Sequence, residues 1–130
     1  MISQKDEKKL INAALKVLKN SHSPHSGFRV GSALLGKSSR IYLGTNVEFD
    51  ALTLTVCAER AALFSGVAGG EKKFTAIAVA TSSNEFVYPC GLCRQALVEF
   101  NPDLEVILIT KNKKTKSFIL KEIIPNYFKL

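Results

Sequence analysis

The sequence has no apolar run approaching the ~20 residues needed to span a bilayer. Its opening stretch, "MISQKDEKKL", is polar and charged, with no apolar signal core behind it. These two absences predict a soluble, cytoplasmic chain with no membrane partner. Internal repeats, linkers and low-complexity tracts are also missing, so residues 1–130 are expected to form a single domain with its own core. Histidine is scarce, and His22 and His25 share one Ser/Pro-rich loop. Cysteine stops at three, an odd count, with Cys57 alone and Cys90 and Cys93 in "PCGLC". In a cytosolic chain that pattern favours metal or redox chemistry over structural disulfides. No fourth cysteine exists to close a structural metal site.

Acidic residues are outnumbered, 11 against 18 basic ones, which gives a formal charge of +7 and raises the question of nucleic acid. Much of the excess is local, in "EKK" at 71–73 and "KNKKTK" at 111–116, where turns are expected. No aromatics interleave with these lysines, as a base-stacking groove requires. The charge therefore reads as a solvated surface, and nucleic acid is not an expected partner.

Ser3 is placed to cap a first helix, with Leu10, Ile11, Ala14, Leu15 and Leu18 at helical spacing behind it. "RVGSALL" (29–35) and "IYLGTN" (41–46) read as a hairpin about "GKSSR". "CAERAALFSGVAGG" is a second helix, closed by Gly69 and Gly70. "FTAIAVAT" (74–81) is apolar at nearly every position, which predicts a central strand covered on both faces. "GLCRQALVEF" gives a third helix ending at "NPD". "EVILIT" (105–110) is another buried strand, and "SFILKEII" a last strand turning into a short helix before Pro125. This order predicts a three-layer α/β/α domain around a mixed sheet of about five strands.

The same reading places Cys57 at the start of one helix and Cys90 with Cys93 at the start of the next. Free N–H groups and the positive end of the helix dipole favour thiolate there, and thiolate is the metal-binding form. Three ligands leave one tetrahedral corner for water, as catalytic zinc sites do. Glu59, two residues after Cys57 among apolar neighbours, is poorly placed for a solvated face. It suits a proton carrier beside an activated water. The alternative from these residues alone is a buried core cysteine beside an unrelated redox pair.

"CAER", followed some thirty residues later by "PCGLCRQ", resembles the zinc nucleoside deaminases, specifically the short, three-cysteine, homotetrameric cytidine deaminases; the H-x-E…P-C-x-x-C signature, with cysteine able to replace histidine, is the general pattern. "SPHSGFRVGSALL", "GTNVE" and "EIIPNYF" extend the resemblance over most of the chain. The resemblance implies a cytidine-deaminase-like fold and one Zn²⁺ per chain on Cys57, Cys90 and Cys93. It implies hydrolytic deamination of cytidine and deoxycytidine by zinc-activated water in pyrimidine salvage, with Glu59 moving the protons. Arg60 would hydrogen-bond the thiolates and withdraw charge. Asn46 and Glu48 would hold the ribose hydroxyls, Phe28 would wall the pyrimidine pocket, and the N–H of Ala58 would face the base's carbonyl. Phe128 would close over the pyrimidine in a neighbouring subunit's site within a homotetramer, a homodimer being the alternative. His25, Phe49, Asp50 and Leu52 depart from the family's usual residues. They keep open a modified cytosine nucleoside, such as a blasticidin-type antibiotic, as the substrate. A polynucleotide-editing deaminase and a noncatalytic zinc module are the remaining alternatives.

Overall fold

The computed structural model describes all residues 1–130. The hydrophobic pattern resolves into three helices and five strands. Helix α1 (Gln4–Val17) starts where Ser3 accepts a hydrogen bond from the Asp6 N–H, satisfying one of the free donors of the first turn. Strands β1 (Val30–Gly36) and β2 (Ile41–Thr45) form the expected hairpin. Helix α2 (Ala58–Ala68), β3 (Phe74–Thr81), α3 (Gly91–Val98), β4 (Glu105–Ile109) and β5 (Thr115–Ile119) follow in the predicted order. The sheet runs β2-β1-β3-β4-β5, with β3 and β4 parallel and every other pair antiparallel.

Strand periodicity sorts the core into two layers. Leu34, Ile77, Val79, Val106 and Leu108 face α2 and α3 with Ala62, Leu63 and Leu97. Ala33, Ala76, Ala78, Ala80 and Ile107 face α1 through Leu10 and Ala14. Alanines on that second face let α1 lie close to the sheet. A Cβ at Gly31 would fall 2.4 Å from the Ala14 carbonyl oxygen, so only glycine fits there.

Two boundaries differ from the sequence reading. Helix α3 ends at Val98, because Phe100 leaves the helix to meet the Phe74 ring edge-on at 5.7 Å. In "KNKKTK" only the first residues form the turn; Thr115 and Lys116 belong to β5. That strand is the sheet's edge, where exposed lysine discourages pairing with another chain.

Candidate active site

The parallel pair β3–β4 requires a crossover, and α3 supplies it. Ligand sites in such sheets lie beyond the strands' carboxyl ends. There a cavity of about 260 Å³ opens, near the low end of the ~300–1,000 Å³ typical of small-molecule pockets. Its walls bring together Phe28, Asn46, Glu48, Cys57, Ala58, Glu59 and Cys90 from segments far apart in sequence.

Cys57 is the N-cap of α2 and Cys90 the N-cap of α3, while Cys93 lies buried in the first turn of α3. Their sulfurs all lie within 4.8 Å of one another. Cys57 and Cys90 Sγ are 3.7 Å apart, matching the about 3.8 Å edge of a tetrahedron with Zn–S bonds of about 2.3 Å. Three thiols at that spacing fit zinc. Hydrogen bonds from Cys93, Arg60 and Cys90 pull the Cys57 thiol down to about 5 against the opposing effect of burial. Cys93 is pushed the other way, first by its hydrogen bond to Cys57 and then by burial. Cys57 is thus the more acidic thiol of the pair.

Arg60 Nη2 donates to Cys57 Sγ at 3.6 Å, and that bond raises the guanidinium's own pKa. Glu59 is 5% exposed, and burial pushes its carboxyl up to about 7, with the Cys57 thiolate adding to the rise. The first intrahelical bond of α2 runs from the Ala61 N–H to the Cys57 carbonyl. The N–H groups of Ala58 and Glu59 therefore stand ahead of the ladder, aimed at the cavity end of the helix.

Asn46 and Glu48 are buried and heavily committed to their own chain. Asn46 Oδ1 accepts from Ser21 Oγ and the Val30 N–H, and its Nδ2 donates to the Phe28 carbonyl at 2.7 Å. One N–H remains free for a ligand. Glu48 Oε1 accepts from the His25 and Ser26 N–H groups, and Oε2 from the Ser26 hydroxyl. These bonds, led by the Ser26 hydroxyl, hold its carboxyl below the ordinary value. Oε2 keeps a lone pair for a further donor.

The structure leaves Phe128 outside this cavity. It is 65% exposed, and its carbonyl accepts from Gln95 Nε2 in a separate groove with Val98, Glu99 and Tyr127. His25, Phe49, Asp50 and Leu52 also stay off the cavity wall; His25 Nε2 instead meets Asp50 Oδ1 at 3.1 Å. Sequence reasoning missed Val79, Thr81, Val87 and Tyr88 among the residues that line the cavity. Tyr88 could have been suspected from its place two residues before Cys90; Val79 and Thr81 read only as strand.

Comparisons with known proteins converge on one family. The model of the cytidine and deoxycytidylate deaminase zinc-binding region matches residues 4–110. A cytidine deaminase of Sporosarcina psychrophila is 37% identical over 95% of this chain and 91% of its own length. One of Halalkalibacterium halodurans is 36% identical over 95% and 94%. A crystal structure of cytidine deaminase from Burkholderia pseudomallei superposes with a TM-score of 0.90 at 35% identity, covering 98% of this chain and all of that one. With the family model, relatives over nearly the full length and the fold in agreement, the chain belongs to the zinc-dependent cytidine deaminase family.

Proposed function

We propose that this chain hydrolyses cytidine and deoxycytidine to uridine and deoxyuridine, releasing ammonia. The observation that carries the reading is Glu59, a carboxyl buried in the cavity that also holds Cys57, Cys90, Asn46 and Glu48, where burial pushes its pKa up to about 7. A proton carrier works best when its pKa lies near the operating pH. Cys57, Cys90 and Cys93 would hold zinc, which when bound supplies Lewis-acid activation of water. Glu59 accepts the water's proton and delivers it to ring N3 as the oxygen bonds to C4. It then takes the proton of the new C4 hydroxyl and carries it to the exocyclic nitrogen; the C4–N bond breaks as C4=O forms, and ammonia leaves. Asn46 Nδ2 and Glu48 Oε2 retain the donor and acceptor that pair with a sugar hydroxyl, and the Ala58 N–H meets the base's carbonyl. Phe28 walls the ring. An apolar cavity excludes water that would otherwise level the Glu59 carboxyl.

The whole chain acts as one domain, in the cytoplasm, in pyrimidine salvage. It works as a homotetramer in which Phe128 reaches a neighbouring subunit's cavity; the exposed Phe64, Leu92 and Phe128 support an assembly that covers them. No helix of the chain is long and apolar enough to cross a membrane. A blasticidin-type substrate draws no support from His25, Phe49, Asp50 or Leu52, which lie off the cavity wall.

Ammonia release from cytidine, deoxycytidine, cytosine, dCMP and blasticidin S tests the reading, with cytidine and deoxycytidine expected to lead. Glu59→Gln should keep one zinc per chain and the wild-type circular dichroism while losing about 10²–10⁴-fold in turnover. Normal turnover by that variant would remove Glu59 from the mechanism.

A further inference from the structure

Cys90 is the exposed member of the thiol cluster, so packing does little to fix it. Its sulfur must nonetheless stay near 3.7 Å from that of Cys57 for the two to share a cation. What aims an exposed side chain is its backbone. The carbonyl of Pro89 and the nitrogen of Cys90 lie in one rigid peptide plane, so anchoring that carbonyl sets the direction in which Cys90 leaves it.

Arg94 supplies the anchor. It lies in the first turn of α3, its N–H donating to the Cys90 carbonyl at 2.9 Å. Its side chain turns back, and Nε donates to the Pro89 carbonyl at 2.6 Å. Nη1 of the same guanidinium donates to the Ile123 carbonyl at 2.8 Å. Arg94 makes no ion pair, so its side-chain bonds go to these two main-chain oxygens. Bonds from a charged donor are about twice as strong as neutral ones. The far anchor is firm, because Ile123, Ile124 and Tyr127 pack against the core.

We propose that Arg94 is a positioning residue for the metal centre, tying the peptide plane ahead of Cys90 to the C-terminal segment at Ile123. A planar fork with donors at fixed angles can span two carbonyls; a lysine ammonium on a flexible stem cannot hold both in register. This role rests on the zinc site proposed above and is separate from that of Arg60, which touches sulfur directly.

Cobalt(II)-loaded protein reports ligand geometry through its thiolate-to-cobalt charge-transfer bands, independently of turnover. Arg94→Ala and Arg94→Lys should both bind cobalt with weakened or shifted bands. Each should release zinc to a chelator about 10–100-fold faster than wild type, the range for losing a group that orients a ligand. Val98→Ala, which opens a cavity in the same helix, should lower Tm yet leave the bands and release rate at wild-type values. Unchanged bands and release in Arg94→Lys overturn the assignment, and that variant answers the question even if Arg94→Ala fails to fold. Equal changes in Val98→Ala also overturn it, since general loosening of α3 would then explain both. A wild-type chain that binds neither cobalt nor zinc overturns the proposed function together with this inference.

Discussion

At the scale of single residues, the site assigns different work to groups of the same type. Glu59 and Glu48 both line the cavity, yet burial raises one carboxyl to about 7 while three hydrogen bonds hold the other below the ordinary range. The difference has a consequence for acid stability. A carboxyl whose folded pKa is depressed stabilises the fold above its unfolded pKa of about 4.3, and that contribution is lost as pH falls through the folded value. Glu48→Gln should therefore lower Tm at neutral pH and narrow the gap to wild type as the medium is acidified below about pH 4. A gap that stays constant with pH would show that Glu48 is not ionised in the fold. Arg60 makes a different prediction, since its donor meets a thiolate rather than another part of the core. Arg60→Ala should slow turnover about 10–100-fold while Tm moves by less than about 5 °C. Turnover at the wild-type rate would reduce it to a surface residue. Glu59 and the cysteines were legible in the sequence because their chemistry is unusual for the positions they hold. Arg94 was not, because its partners are main-chain carbonyls at Pro89 and Ile123, and nothing in a side-chain pattern announces a carbonyl that needs a donor.

Elements position these groups by close approach of backbone to backbone. Strand β2 meets the first turns of α2 at Gly44, where a Cβ would fall 2.3 Å from the Ala58 carbonyl oxygen and 2.4 Å from the Ala62 nitrogen. Neither neighbour is a side chain that could swing aside, so α2 itself must shift. Overpacking of this kind costs typically about 1–3 kcal/mol. Because Cys57 caps that helix, a shift there also displaces a thiol of the cluster that could hold zinc. Gly44→Ala should lower Tm and zinc content together, whereas Gly91→Ala, with nothing within 4 Å of the added carbon, should leave both near wild type. Full zinc and normal Tm in Gly44→Ala would refute the tight approach. The strands themselves were readable, since "FTAIAVAT" and "EVILI" are apolar on both faces and lie buried in the middle of the sheet. The tight approach was not readable, because a glycine in "IYLGT" looks the same whether it faces solvent or a helix. The link between β2 and α2 was likewise hidden: Val47 bridges both His22 and Val56, single pairings too short to leave a periodic signal.

The whole chain leaves Phe128 apart from the cavity, held by Gln95 at its carbonyl while its ring remains mostly exposed. An exposed large aromatic ring is a candidate for contact with another surface. Tyr127 packs against the core, so the segment carrying Phe128 is anchored while the ring itself is left over. This arrangement could present the ring to another copy, and a closed ring of identical subunits would let every chain give and receive one. Stacking of an aromatic on a base contributes about 1–3 kcal/mol, or roughly 5–150-fold in affinity. Phe128→Ala should accordingly raise KM within that range while zinc content and Tm persist. The decisive experiment mixes Phe128→Ala chains with an excess of Glu59→Gln chains, whose tails are intact but whose proton carrier is missing. Neither population alone should deaminate cytidine well. If the ring serves a neighbour's cavity, exchange of subunits places an intact Phe128 over a cavity with an intact Glu59, and activity per Phe128→Ala chain should rise toward wild type. Should the mixture stay as impaired as Phe128→Ala alone, with exchange verified by mass spectrometry of differently labelled chains, Phe128 belongs to its own chain's surface and the shared site is wrong.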